Sequence, residues 1–177
     1  VNLSHALLLT AALTKIEGDA TCLIEGLTAM PHRAEYIGVS KGTVWIDDSK
    51  ATNVDSTLTA LKSCSYPTAV LLGGRDKHGD FTLLAQELNR CAKRICLFGE
   101  AAHIIGDQLK GLVREDLVYT GSLEDTVKYL SGEAGLNTVI LTPGCASFDE
   151  FSNYEERGYK FAEYFNRYVN SAGDERC

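Results

Sequence analysis

From Pro31 onward, short apolar runs alternate with longer stretches in which apolar residues recur every three or four positions. The short runs, Tyr36 to Val39, Val44 to Asp47, Ala69 to Gly73, Ile95 to Phe98, Leu117 to Tyr119 and Thr138 to Leu141, predict strands. Between and after them come Val54, Leu58 and Leu61; Phe81, Leu84, Ala85 and Leu88; Leu123, Val127 and Leu130; and Tyr154, Phe161, Phe165 and Tyr168. Spacings of three, four and seven place each set on one face of a helix. Mostly apolar strands alternating with such helices predict an α/β fold, a doubly wound, mainly parallel sheet of about six strands covered on both faces.

The first thirty residues read differently. Leu3 to Ile16 and Thr21 to Met30 predict two helices joined by Glu17-Gly18-Asp19, where Gly18 suits a helix stop and Asp19 a cap. Pro31 then breaks the pattern. We expect this short helical segment, residues 1–31, to be the tail of a preceding domain and residues 32–177 to form the α/β domain. A native helical pair packed on the sheet is the other possibility.

Composition narrows the function. With 24 acidic and 17 basic residues, a formal charge of -7 and no basic run, the chain is not expected to bind nucleic acid or an anionic membrane. The apolar stretch Ala6 to Leu13 is interrupted by Thr10, ends at Lys15, is too short to span a bilayer and lacks a basic leader, so neither an anchor nor a signal peptide is expected. The six cysteines, Cys22, Cys64, Cys91, Cys96, Cys145 and Cys177, form no Cys-x-x-Cys pair and have no histidine at zinc spacing. They are expected to be reduced thiols in a cytoplasmic protein. His5, His32, His78 and His103 share no ligand spacing, so no metal cluster is expected.

The candidate chemistry lies in three strand-to-helix turns. Asp47-Asp48-Ser49-Lys50 follows the second strand, and Thr52-x-x-Asp55 resembles a capping box, so Thr52 or Asn53 should cap the next helix. Asp48 and Lys50, alternate residues leaving a strand, either face a common ligand or form a solvated pair. The second turn, Gly73-Gly74-Arg75-Asp76-Lys77-His78-Gly79-Asp80-Phe81, has Asp80 where a P-loop needs lysine and is therefore not a Walker A site. It can still direct backbone N–H groups and Lys77 at an anion, although tight turns need glycines anyway. In the third, Gly144-Cys145-Ala146-Ser147, Ser147 is placed near a helix N-terminus, as a plain cap or as an anion contact. The Gly-x-Ser-x-Gly elbow of a catalytic serine is absent there. Such turns gather along the carboxyl edge of a doubly wound sheet.

At these residues the chain resembles the Mur ligase family, most closely its D-glutamate-adding members. The resemblance rests on Pro31-His32-Arg33-x-Glu35; on Asp48-Ser49-Lys50-Ala51-Thr52-Asn53; on Leu72-Gly73-Gly74 with Lys77 and Asp80-Phe81; and on Ala146-Ser147-Phe148-Asp149-x-Phe151 continuing to Glu156-Arg157-Gly158. It implies that residues 32–177 are a Rossmann-like C-terminal ligase domain and residues 1–31 the last helices of a central ATPase domain. Asn2, Arg33 and Asp48 would contact the nucleotide, and Lys50 would be catalytic, near the phosphates and acceptor. Thr52, Lys77, Ser147, Phe148 and Tyr154 would hold D-glutamate, charge-assisted bonds to its carboxylates being the strong kind.

The implied chemistry is ATP-dependent amide formation in cell-wall peptidoglycan synthesis. The carboxylate of a UDP-linked muramoyl substrate takes the γ-phosphoryl group, and the amine of D-glutamate attacks the acyl phosphate. Positioning and electrostatics supply most of the catalysis in phosphoryl transfer. ATP and Mg2+ would serve the full-length enzyme, on N-terminal and central domains absent from this chain, which alone should bind no cofactor and be inactive. His5 stands where the family's second central-domain asparagine is expected, and Tyr154 where phenylalanine is. The Asp-Asn-Pro-Arg tetrapeptide of diaminopimelate-adding relatives is missing, the prolines being Pro31, Pro67 and Pro143, which favours D-glutamate. Two alternatives are a folylpolyglutamate synthetase domain, separable by its preference for L-glutamate, and a free-standing ligand-binding module, separable by a natural product of this length.

Overall fold

The structure, a computed structural model, describes residues 30–170. The helical pair expected at Leu3 to Ile16 and Thr21 to Met30 lies, except for Met30, outside the described residues.

Two faces of one sheet account for the hydrophobic pattern. Six strands, β1 (Glu35–Ser40), β2 (Thr43–Asp47), β3 (Thr68–Gly73), β4 (Ala92–Phe98), β5 (Leu117–Tyr119) and β6 (Thr138–Gly144), pair in the order β1-β2-β6-β3-β4-β5. All neighbours are parallel except β1 and β2. Five α-helices are described: α1 (Val54–Lys62), α2 (Ala85–Cys91, after a 3-10 turn at Phe81–Leu84), α3 (Ala102–Leu109), α4 (Leu123–Ser131) and α5 (Tyr154–Tyr164, running into a π-helical turn at Phe165–Asn170).

Strand β3 is buried throughout, and its alternate residues feed two cores. Val70 and Leu72 join Leu61 of α1, Leu88 of α2 and Ile105 of α3. Ala69 and Leu71 join Val127 of α4 and Phe161 of α5, with Trp45 of β2. The doubly wound arrangement is thus present, three helices against one face and two against the other.

Two local features depart from expectation. β1 and β2 are linked by no helix but by Lys41-Gly42, with φ of 50° and 80°, the two-residue turn whose twist matches an antiparallel hairpin. Helix α3 was not anticipated, because its buried face, Ala102, Ile105, Gly106 and Leu109, includes alanine and glycine and so carries a weak hydrophobic signal.

Helix starts follow side-chain capping. Asn53, rather than Thr52, caps α1 by accepting from Ser56 N at 2.8 Å, so the apparent Thr52-x-x-Asp55 box is displaced by one residue. Ser147 caps nothing: α5 begins at Tyr154, capped by Asn153 through Glu156 N at 2.7 Å. Ser147 instead lies in a preceding tight turn, its carbonyl accepting from Phe151 N at 2.9 Å.

The cysteines behave as small hydrophobes. Cys64, Cys91, Cys96 and Cys145 are free, and burial pushes the Cys91 thiol up to about 11 and those of Cys96 and Cys145 to about 12. Cys22 and Cys177 lie outside the described residues. Among the described residues no helix is long and apolar enough to cross a membrane.

The hairpin gives a clean test of backbone preference, because a side chain at Gly42 would meet nothing within 4 Å. Gly42→Val should lower stability by about 1–2 kcal/mol through its positive φ alone, while Gly42→Asn should be nearly neutral in denaturant unfolding.

Candidate functional site

Strand order brings the three turns together. Because β6 lies between β2 and β3, the turns leaving these strands are neighbours at the carboxyl edge. Backbone hydrogen bonds join them: Gly144 N donates to Ala51 O at 2.9 Å, Arg75 N to Ala146 O at 2.8 Å, and Ala146 N to Arg75 O at 3.1 Å. Part of the glycine-rich turn is engaged by the fold, since Gly74 N donates to Phe98 O at 3.3 Å and Gly79 N to Asp76 Oδ1 at 2.9 Å. The turn also presents the exposed Lys77.

A cleft of about 260 Å³ opens between the β2 and β3 turns. Thr52, Asp55, Lys77 and Gly144 are among its lining residues, so two predicted acceptor residues from separate turns share one concavity. Lys50, Ser147, Phe148 and Tyr154 do not line it. Ser147 is buried, Phe148 is 60% exposed, and Lys50 faces Tyr154, its Nζ 3.4 Å from the phenol oxygen and 5.3 Å from the ring centroid.

Asp48 and Lys50, read as facing a common ligand or as a solvated pair, take different protein partners. The Asp48 carboxylate is buried and accepts from Arg33 Nη1 at 3.4 Å, Ala34 N at 3.2 Å and Thr142 Oγ1 at 3.3 Å. Burial pushes its carboxyl above the usual carboxylate value, opposed by the Arg33 charge and by the Ala34 and Thr142 hydrogen bonds. Asp48 thus anchors Arg33, whose guanidinium stays partly exposed. Asn2 and His5 lie outside the described residues.

Beneath these groups is a polar layer that spacing in the sequence did not disclose. His32 Nδ1 meets Asp47 Oδ2 at 2.7 Å, Asp47 Oδ1 accepts from Ser49 N at 2.8 Å, and His32 O accepts from Lys50 N at 3.0 Å. His32, Glu35 and Asp47 place ligand atoms within 4.8 Å of one another, the reach of a cation. Their hydrogen bonds already join them, since Glu35 Oε2 accepts from His32 N at 2.7 Å and Asp47 takes the ring.

The residue most clearly missed is Arg157 of α5, fully buried. Its Nη2 donates to Ser49 O at 2.8 Å and to Cys145 O at 3.1 Å, and Nη1 donates to Cys145 O at 3.2 Å, linking the β2 and β6 turns. Burial lowers its pKa to about 10, which leaves it protonated at neutral pH. The only sequence signal was the Glu156-Arg157-Gly158 run.

The family model for the Mur ligase glutamate ligase domain matches residues 32–146. The chain belongs to the Mur ligase family. Similar curated proteins are named UDP-N-acetylmuramoylalanine–D-glutamate ligase: that of Desulfatibacillum aliphaticivorans is 40% identical over 144 residues, 81% of this chain and 32% of its own length. That of Koribacter versatilis is 43% identical over 136 residues, covering 76% and 29%. The chain thus spans about a third of these relatives. Among solved structures, the UDP-N-acetylmuramate-alanine ligase of Thermotoga maritima superposes with a TM-score of 0.61 at 18% identity, covering 91% of this chain and 37% of that one. The folylpolyglutamate synthase of the same organism gives 0.55 at 15% identity, covering 93% and 37%. At these identities the structural likenesses speak for the fold, which is that of Mur ligase C-terminal domains.

Two substitutions probe the polar layer of this Mur ligase domain. Arg157→Ala should cost about 3 kcal/mol or more, since two buried carbonyls lose their donors and a cavity remains. Gly158→Ala should cost about 1–3 kcal/mol by overpacking, its Cβ falling 2.1 Å from His32 Nδ1 and 2.3 Å from Asp47 Oδ2. Chemical denaturation reads both.

Proposed function

We propose that this chain is the C-terminal, acceptor-binding part of a cytoplasmic ATP-dependent ligase that adds D-glutamate to UDP-N-acetylmuramoyl-L-alanine during peptidoglycan synthesis. The observation that carries the reading is the shared cleft of Thr52 and Lys77, one hydroxyl and one ammonium from two separate crossovers. Together they suit a carboxylate, which accepts strong charge-assisted bonds from such donors. The names of similar curated relatives support D-glutamate as the acceptor.

In this reading Thr52 and Lys77 hold D-glutamate in the cleft, while Ser147, Phe148 and Tyr154, assigned to the acceptor by the family resemblance, lie outside its lining. Arg33, oriented by Asp48, and Asn2 meet the nucleotide. Lys50 stands by the transferring phosphoryl group, where an ammonium favours the negative charge that develops. ATP supplies the phosphoryl group that activates the muramoyl carboxylate as an acyl phosphate. The amine of the acceptor then displaces phosphate and forms the amide. Residues 1–31 would be the end of the central ATPase domain. The phosphate cradle, the Mg2+ ligands and the UDP-binding surface would reside in segments beyond these 177 residues.

The test is amide formation by the intact polypeptide, followed with D- and L-glutamate and by phosphate release. D-glutamate dependence is expected, together with no turnover by the 177-residue chain alone; preference for L-glutamate would point to folylpolyglutamate chemistry. Lys77→Ala should raise KM for D-glutamate while changing stability by less than about 0.5 kcal/mol. Unfolding with unchanged acceptor kinetics would make Lys77 structural.

A further inference from the structure

The polar groups lining the cleft divide into those engaged by the fold and those left for a ligand. Asn53 Oδ1 accepts from Ser56 N at 2.8 Å, Asp76 Oδ1 from Gly79 N at 2.9 Å, and Asp80 Oδ1 from Thr82 N at 3.1 Å. Three side chains of the lining have no hydrogen-bond or ion-pair partner among the described residues: the Thr52 hydroxyl, the Lys77 ammonium and the Asp55 carboxylate. Asp76 and Asp80 each bond through one oxygen only, and among the described residues Asp55 is the one lining carboxylate with no hydrogen bond to the fold. With Thr52 and Lys77 it complements a molecule that carries both charges. A bare phosphate would gain Lys77 and Thr52 but meet repulsion from Asp55, with Asp76 and Asp80 also on the lining. An amino acid can give its carboxylate to the first pair and its ammonium to Asp55.

We propose that Asp55 is a specificity-determining residue that receives the ammonium group of the incoming amino acid. The inference deepens the acceptor reading given above and rests on it. Asp55 lies in the first turn of α1, where a carboxylate also complements the helix dipole. That role would affect stability and not discrimination between ligands. The cleft selects zwitterions over plain anions, and so separates an amino-acid acceptor from the phosphate released in the same turnover.

The experiment uses the intact ligase with Asp55→Asn and Asp55→Glu, and measures KM for D-glutamate, KM for ATP and inhibition by glutarate, which keeps both carboxylates but has no amine. Asp55→Asn should raise KM for D-glutamate about three- to tenfold. KM for ATP should hold, and glutarate should inhibit as well as before or better. Asp55→Glu should recover most of the loss. The penalty should shrink as pH rises past the pKa of the acceptor's ammonium, because the neutral amine no longer needs the charge. An unchanged KM for D-glutamate in folded Asp55→Asn overturns the assignment, as does a parallel weakening of glutarate. Wild-type enzyme indifferent to D-glutamate would instead sink the acceptor reading itself.

Discussion

The arrangement depends on one buried guanidinium. Arg157 reaches from α5 to the carbonyls of Ser49 and Cys145, and so fixes the turns that leave β2 and β6 relative to each other. Taking a charge out of water is costly, and its lowered pKa reports that cost. What offsets it is directional: a planar fork can serve two carbonyl groups at once, which a lysine ammonium does with less geometric definition. The His32–Asp47 pair extends the same layer, since His32 accepts the Lys50 amide while Asp47 accepts that of Ser49. Polar groups under the site thus hold backbone, leaving outward-facing side chains available to ligands.

Topology supplies the second constraint. The chain crosses from β2 to β3, continues to β4 and β5, and returns to place β6 in the gap. Helices α1 to α3 cover one face on the way out, and α4 and α5 cover the other on the return. The reversal opens the carboxyl edge where the direction of winding changes, the usual place for a ligand in an open α/β sheet. Thr52, Lys77 and Gly144 meet there although they stand at or beyond the ends of three different strands.

Much of this was legible along the chain. All six strands lie where short apolar runs predicted them, most plainly β3, since a strand buried on both faces must be apolar along most of its length. The helical periodicities succeeded where large residues marked the buried face, as in Leu123, Val127 and Leu130, and failed at α3, where Gly106 and Ala102 do the packing. Cap residues were readable to within one position, since Asn53 and Thr52 are both chemically competent and only the backbone path chooses between them. Ser147 misled for a related reason: a hydroxyl after a strand is a credible cap until the chain makes another turn before its helix.

The sequence by itself determined the layers and the sites of the turns, because burial acts on neighbouring residues through periods of two and 3.6 that any stretch of chain displays. It also marked Lys77 and Thr52, whose types suit an anion wherever they stand. Only the tertiary structure decided which groups share a cleft and which are taken up by the fold. It turned Asp48 inward to Arg33, grouped Thr52 with Lys77, and buried Arg157 against two distant carbonyls. Such choices depend on hydrogen bonds between residues up to 108 positions apart, as with Arg157 and Ser49, and no local pattern encodes a partner at that distance.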